Sequence, residues 1–121
     1  ISAADLAGCF QFPGPAESVG FSSALFMHEL VTDDEPSTGL NSIERLNLLT
    51  WCTGYAALPC GGLQDGNRIS LQLYEGATDD DLPVVHTCTK QVHLPAYSSR
   101  EILRAKLLKA VEHRHDGFQI V

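Results

Sequence analysis

Ile69-Ser-Leu-Gln-Leu-Tyr74 alternates apolar and polar side chains along its whole length. Only an extended backbone puts Ile69, Leu71 and Leu73 on one side and the residues between them on the other, so a half-buried strand is expected here. Helix signals stand on both sides of it. Asn41 followed by Glu44 makes a capping box ahead of Ile43, Leu46, Leu49 and Trp51 or Cys52, and Gly54 is expected to end that helix. Ser98 and Glu101 make a second box, and Leu103, Leu107, Ala110 and Val111 supply the stripe of a helix reaching about His113 or Arg114. In Ser18 to Val31, Phe21, Leu25, Phe26 and Leu30 approach helical spacing, which predicts a third. Residues 55–67, with Pro59 and several glycines, read as an ordered loop, and Glu75 to Asp81 as an acidic turn. Val84 to Cys88 reads as a short strand or extended segment, a loop or turn follows around Pro95, and Phe118 to Val121 beyond Gly117 is strand-like. The expected fold is therefore α+β: a small mixed sheet from Ile69–Tyr74, Val84–Cys88 and the C-terminal segment, flanked by two to four helices.

A chain of 121 residues with 44% hydrophobic and 19% charged side chains fits one globular core. The net charge of -7 opposes phosphate backbones, so nucleic acid is not an expected partner. The charge is unevenly spread. Residues 1–85 hold two basic and twelve acidic side chains (net -10), and residues 86–121 six basic and three acidic (net +3), so the two parts should attract. Arg100, Arg104, Lys106, Lys109 and Arg114 share one expected helix and read as a solvated face. No apolar run reaches the ~18 residues of a membrane span, and no basic end with an apolar run marks a signal peptide. With no initiator Met before Ile1, the chain is expected to be a piece of a longer one. With neither a signal peptide nor a membrane span to read, it is expected to act inside the cell, in the cytoplasm or nucleus.

Four cysteines, Cys9, Cys52, Cys60 and Cys88, are expected to be free thiols, because a chain this long needs no staples. Structural zinc usually takes paired ligands two to four residues apart, and His86-Thr-Cys88 or His113-Arg-His115 alone do not make such a set. No metal and no cofactor are expected. A metal-binding domain using Cys52, Cys60 and His86 is the reading this sets aside.

Leu82 to Ser99 carries the chemistry. It sets Cys88 between Leu82-Pro83 and Leu94-Pro95, dipeptides that restrain the backbone and withhold a donor. A thiolate can attack a carbonyl or thioester. If residues 86–88 are extended, His86 and Cys88 point to one side, where the imidazole could bias the thiol or orient an incoming group. A buried structural cysteine fits the local sequence too, and it is the commoner outcome for such a residue. Cys9, Cys52 and Cys60 read as structural, Cys52 as core and Cys60 as a loop thiol. His28, His93, His113 and His115 read as surface or half-buried.

Taken in order, Leu82-Pro-x-x-His-Thr-Cys88, Leu94-Pro-x-Tyr97-Ser, Glu101-Ile-x-Arg104-x-Lys-Leu-Leu-x-Ala110 and Gly117-Phe118 resemble the C-terminal lobe of HECT-type ubiquitin ligases. Leu48-Leu-Thr-Trp-Cys-Thr-Gly54 and Leu58-Pro-Cys-Gly-Gly-Leu63 are similar to upstream segments of the same family. The resemblance runs from about residue 42 to 121, with residues 1–40 placed by position only, and Ser98-Ser99 with Glu101-Ile102 has features of the ubiquitin-fusion-degradation subgroup.

The resemblance implies one HECT C-terminal lobe over residues 1–121. Cys88 would be the catalytic cysteine that takes ubiquitin from a ubiquitin-conjugating enzyme as a thioester and passes it to a lysine of a protein substrate. His86 and Thr87 would support it, and Phe118, fourth from the end, would serve transfer. The conjugating enzyme would dock mainly on a larger preceding lobe, leaving this piece weak or inactive alone. Thr89 and Lys90 depart from the apolar residue and Asn that the family often carries there. The assisting carboxylate is left open among Asp79 to Asp81, Asp116 and the chain end. The competing reading is a catalytically inactive ubiquitin-binding or scaffolding module of the same fold.

Overall fold

The structure, a computed structural model, describes residues 1–14, 19–55, 62–63 and 66–120, with the backbone alone for 114–120. Its strands are β1 (Phe10–Gln11), β2 (Ile69–Leu73), β3 (Val84–His86) and β4 (Gln91–Leu94), and its helices α1 (Ala3–Ala7), α2 (Ser22–Thr32), α3 (Ser42–Thr53) and α4 (Arg100–Ile120). The fold is α+β, with a mixed sheet in the order β1-β2-β4-β3. β1 and β4 run parallel to β2 on either side of it, and β3 closes one edge antiparallel to β4.

The alternation at Ile69 does its expected work: Ile69 and Leu71 are buried, Leu73 half-buried and Gln72 exposed. β4 repeats the pattern, with Val92 and Leu94 sealed in the core and Gln91 and His93 half-buried. The inward row packs with Met27, Leu30, Leu48, Leu49 and Leu103 in one cluster. Each fully buried Leu of that cluster stabilises by ~1.5–3 kcal/mol.

Helix α3 follows its sequence signals closely. Asn41 Oδ1 accepts the Glu44 N–H at 2.8 Å, Glu44 Oε1 accepts the Asn41 N–H at 2.9 Å, and Gly54 ends the helix with φ 80°. Only glycine holds that left-handed cap without strain. Ile43, expected on the buried stripe, is 73% exposed. It precedes Leu48 by five residues, about 140° around a helix of 3.6 residues per turn. Helix α2 shows a similar shift in phase. Ala24, Met27, Leu30 and Val31 face inward and Leu25 is 57% exposed, because this apolar segment offers more than one face and packing selects one.

Several expectations need correction. β4 is not among the strands that the sequence marks, since four residues beside Leu94-Pro95 give too short a period. The strand expected over Val84–Cys88 stops at His86, and Thr87 to Lys90 form the turn of a β3–β4 hairpin. The C-terminal segment adds no strand: α4 continues through Gly117 to Ile120. A glycine inside a helix costs only about 1 kcal/mol against Ala, too little to force a stop.

The cap of α4 also moves by one residue. Ser99 Oγ accepts the Ile102 N–H at 3.2 Å, while Ser98 donates both its backbone N–H and its hydroxyl to Asp79, at 2.8 and 2.7 Å. Arg100 and Arg104 are likewise more than a solvated face. Arg100 pairs with Asp33 and donates to the Thr38 carbonyl at 3.1 Å, and Arg104 Nε donates to the Gly39 carbonyl at 2.9 Å. The attraction expected between the acidic first part and the basic last part is thus realised where α4 grips the turn after α2.

Candidate active site

Burial separates the thiols. Cys52 is sealed in the core, and burial pushes its thiol well above the ordinary range. Cys9 is buried too, donates to the Asp5 carbonyl at 3.3 Å, and is raised first by burial and then by the Asp5 charge. Cys88 is free and exposed. Cys60 lies outside the described residues. A thiolate must meet its electrophile, so among the described cysteines only Cys88 is placed for reaction.

Its location follows from the hairpin. β3 and β4 pair Val84 with His93, Val85 with Val92 and His86 with Gln91. This leaves Thr87, Cys88, Thr89 and Lys90 to turn the chain. The Lys90 N–H donates to the Thr87 carbonyl at 3.3 Å, and Thr89 Oγ1 donates to the His86 carbonyl at 3.4 Å. Lys90 takes φ 52°, a left-handed backbone found at no other non-glycine among the described residues. Its carbonyl accepts the Ser70 N–H at 2.9 Å, which ties the turn to β2.

Because Cys88 lies past the end of β3, strand alternation does not set its direction relative to His86. What the register does set is a cross-strand pair that the sequence reading missed. His86 and His93 share the outward face of the hairpin, with ring centroids 5.0 Å apart and planes at 88°. Val85, His86, Thr87, Cys88, Thr89 and His93 all line one open groove. His86 and Thr87 are exposed. Phe118 falls within the backbone of α4, and its side chain lies outside the described residues.

The base of the hairpin is fastened where its strands enter and leave. The Tyr97 hydroxyl donates to the Asp81 carbonyl at 2.7 Å, joining the segment before β3 to the one after β4. Burial, and then the nearby Asp81 and Asp79 charges, push the phenol up and keep it a donor. Asp79 is held low first by the Ser98 hydroxyl and then by the Ser98 backbone N–H. Asp81 Oδ2 accepts the Thr78 N–H at 2.8 Å. Asp79 and Asp81 are thereby engaged in holding this base.

A second groove, about 500 Å³, lies along β1 and β2 beside Phe12, Val19 and Phe21. No ionisable side chain lines it among the described residues, so it offers no reacting group. Among the described residues no set of three His, Cys, Asp or Glu side chains converges as metal ligands, and no helix is long and apolar enough to cross a membrane.

Among the described residues, then, this α+β fold carries one exposed thiol, that of Cys88, on a hairpin turn beside an open groove. The sequence profile of the HECT-domain (ubiquitin-transferase) family matches residues 37–121, and the chain belongs to this family. It is 36% identical over 81 residues to the E3 ubiquitin-protein ligase hyd of Drosophila melanogaster, a match covering 65% of this chain and 3% of that protein. It is 39% identical over 83 residues to the probable E3 ubiquitin-protein ligase TOM1 of Eremothecium gossypii, covering 64% of this chain and 2% of the relative. The E3 ubiquitin-protein ligase hecd-1 of Caenorhabditis elegans is 38% identical over 82 residues, covering 67% of this chain and 3% of the relative. The chain thus spans a few per cent of the length of these relatives.

Proposed function

We propose that this chain is the cysteine-bearing C-terminal lobe of a HECT ubiquitin-protein ligase, that residues 1–121 form this one lobe, and that Cys88 carries ubiquitin as a thioester between a ubiquitin-conjugating enzyme and a substrate lysine. One observation carries the reading: Cys88 is exposed on the hairpin turn, whereas Cys9 and Cys52 are buried.

The first step exchanges one thioester for another. The Cys88 sulfur attacks the carbonyl joined to the conjugating enzyme's cysteine, the old C–S bond breaks and a new one forms. Reactant and product bonds are alike, so the step depends on access and positioning more than on driving force. An open groove beside a turn tied to β2 suits that requirement. In the second step a substrate amine, stripped of its proton, attacks the same carbonyl and the Cys88 thiol leaves. His86 borders the groove and is assigned a supporting role beside the sulfur, with Thr87 in the turn itself. Phe118 is assigned to the transfer step by resemblance alone. Docking of the conjugating enzyme is assigned to a part of the ligase outside this chain.

The test is the intact ligase charged with ubiquitin and run on a gel with and without thiol reductant. Wild type should show a reductant-sensitive adduct and substrate modification, and Cys88→Ser should lose both. If both persist in Cys88→Ser, the site is wrong. If wild type binds ubiquitin but forms no adduct, the inactive scaffolding reading takes its place.

A further inference from the structure

Lys90 shares the turn with Cys88, two residues away, while Lys106 and Lys109, the remaining lysines of the chain, sit on α4. Residues so spaced have Cα atoms no more than about 7 Å apart, within reach of a flexible four-carbon side chain. The Lys90 backbone is pinned by its bonds to Thr87 and Ser70, so the Cα stays put while the side chain can turn. The ammonium does not line the groove but rests over the ring of Tyr55, 5.7 Å from its centroid. Tyr55 is itself placed by the end of α3, where its N–H donates to Thr53 Oγ1 at 3.0 Å next to the Gly54 cap.

We infer that Lys90 is an internal acceptor for the acyl group carried on Cys88, and that Tyr55 restrains it. The inference rests on the proposal that Cys88 carries ubiquitin. Once the side chain leaves the ring and gives up a proton, the Lys90 amine attacks the thioester carbonyl. The C–N bond forms and the C–S bond breaks. Of the two protons lost by the ammonium, one ends on the released Cys88 thiol and one in water. The product is an amide that reductant cannot cleave, attached beside a regenerated thiol and its groove. Tyr55 opposes this because an aromatic face attracts the cation and not the neutral amine, and an ammonium has no lone pair to attack with. The contact is of an exposed kind, so its removal is expected to speed the transfer about two- to fivefold.

The chain charged with ubiquitin bearing a C-terminal mercaptoethanesulfonate thioester tests this without a conjugating enzyme. Wild type should form a reductant-sensitive adduct that converts to a resistant one, located on Lys90 by peptide mass spectrometry. Lys90→Arg should keep the sensitive adduct and lose the resistant one. Tyr55→Ala should convert about two- to fivefold faster, and Tyr55→Phe at the wild-type rate. A sensitive adduct on Cys88 that never moves to Lys90, or equal rates in Tyr55→Ala and wild type, overturns the inference while leaving the Cys88 reading intact. Absence of the sensitive adduct from wild type removes both.

Discussion

Ser23 and Tyr97 meet through one buried hydroxyl: Ser23 Oγ accepts the Tyr97 backbone N–H at 3.0 Å while donating to the Pro95 carbonyl at 2.6 Å. A side chain of α2 thus holds the segment that leaves β4, and the Tyr97 ring carries that hold on to Asp81 before β3.

Ser23→Ala should therefore destabilise the chain beyond the loss of one contact. It removes both bonds of a buried hydroxyl, about 0.5–1.5 kcal/mol each, and leaves the Tyr97 N–H and the Pro95 carbonyl only their bond to each other at 2.9 Å. Thermal melts should show a clear drop in Tm, and a Tm equal to wild type would mean that water replaces the hydroxyl.

Asp33 predicts how the protein responds to acid. Its carboxyl is lowered from 3.8 to about 2, first by the Glu35 backbone N–H, then by the Thr38 hydroxyl and the Arg100 guanidinium. A lowered folded-state value means that this stabilisation is present above the unfolded value and is lost as pH falls toward about 2. Melting temperature followed from pH 5 to 2 should fall less steeply in Asp33→Asn than in wild type. Parallel curves would show that the carboxylate gains nothing from its partners.

Gly39 predicts a steric limit in the same turn. A Cβ there would press on the Asp33 carbonyl oxygen and come within 2.9 Å of the Asp33 Cβ. Forcing extra volume into such a contact costs about 1–3 kcal/mol. Gly39→Ala should lower Tm, and Asp33→Asn should not relieve it, because the clash is with atoms the two residues share.

The cysteines predict an order of labelling. Iodoacetamide at neutral pH, followed by peptide mass spectrometry, should modify Cys88 early while Cys9 and Cys52 react only in denaturant. Early modification of Cys52 would place its helix face outside the core.

For the last turns of α4, Phe118→Ala in the full-length ligase should slow substrate modification while the Tm stays near wild type. A wild-type rate would remove the role given to Phe118 by resemblance.

What could be read from the sequence was local. Asn41 and Glu44 are three residues apart, and their reciprocal bonds need no knowledge of the rest of the chain. The same holds for Gly54 and for the stripe from Leu103 to Val111. Phase was harder, because Ile43 and Leu25 differ from their buried neighbours only in direction, and tertiary packing fixes direction. Contacts made by folding left no local trace. His93 joins His86 through the register of a hairpin, Ser23 reaches Tyr97 across 74 residues, and Arg100 reaches Asp33 across 67. The exposure of Cys88 belongs to this second kind: residue type and spacing mark it as a candidate, and only the hairpin turn puts the sulfur in solvent.

Fastening the hairpin at its root has a mechanical result. With Tyr97 bridging the two legs and Lys90 bonded to β2, the tip lacks the slack to swing by itself. A sulfur mounted this way goes where the whole body goes, so if Cys88 carries a group as proposed, moving that cargo takes a journey of the entire fold.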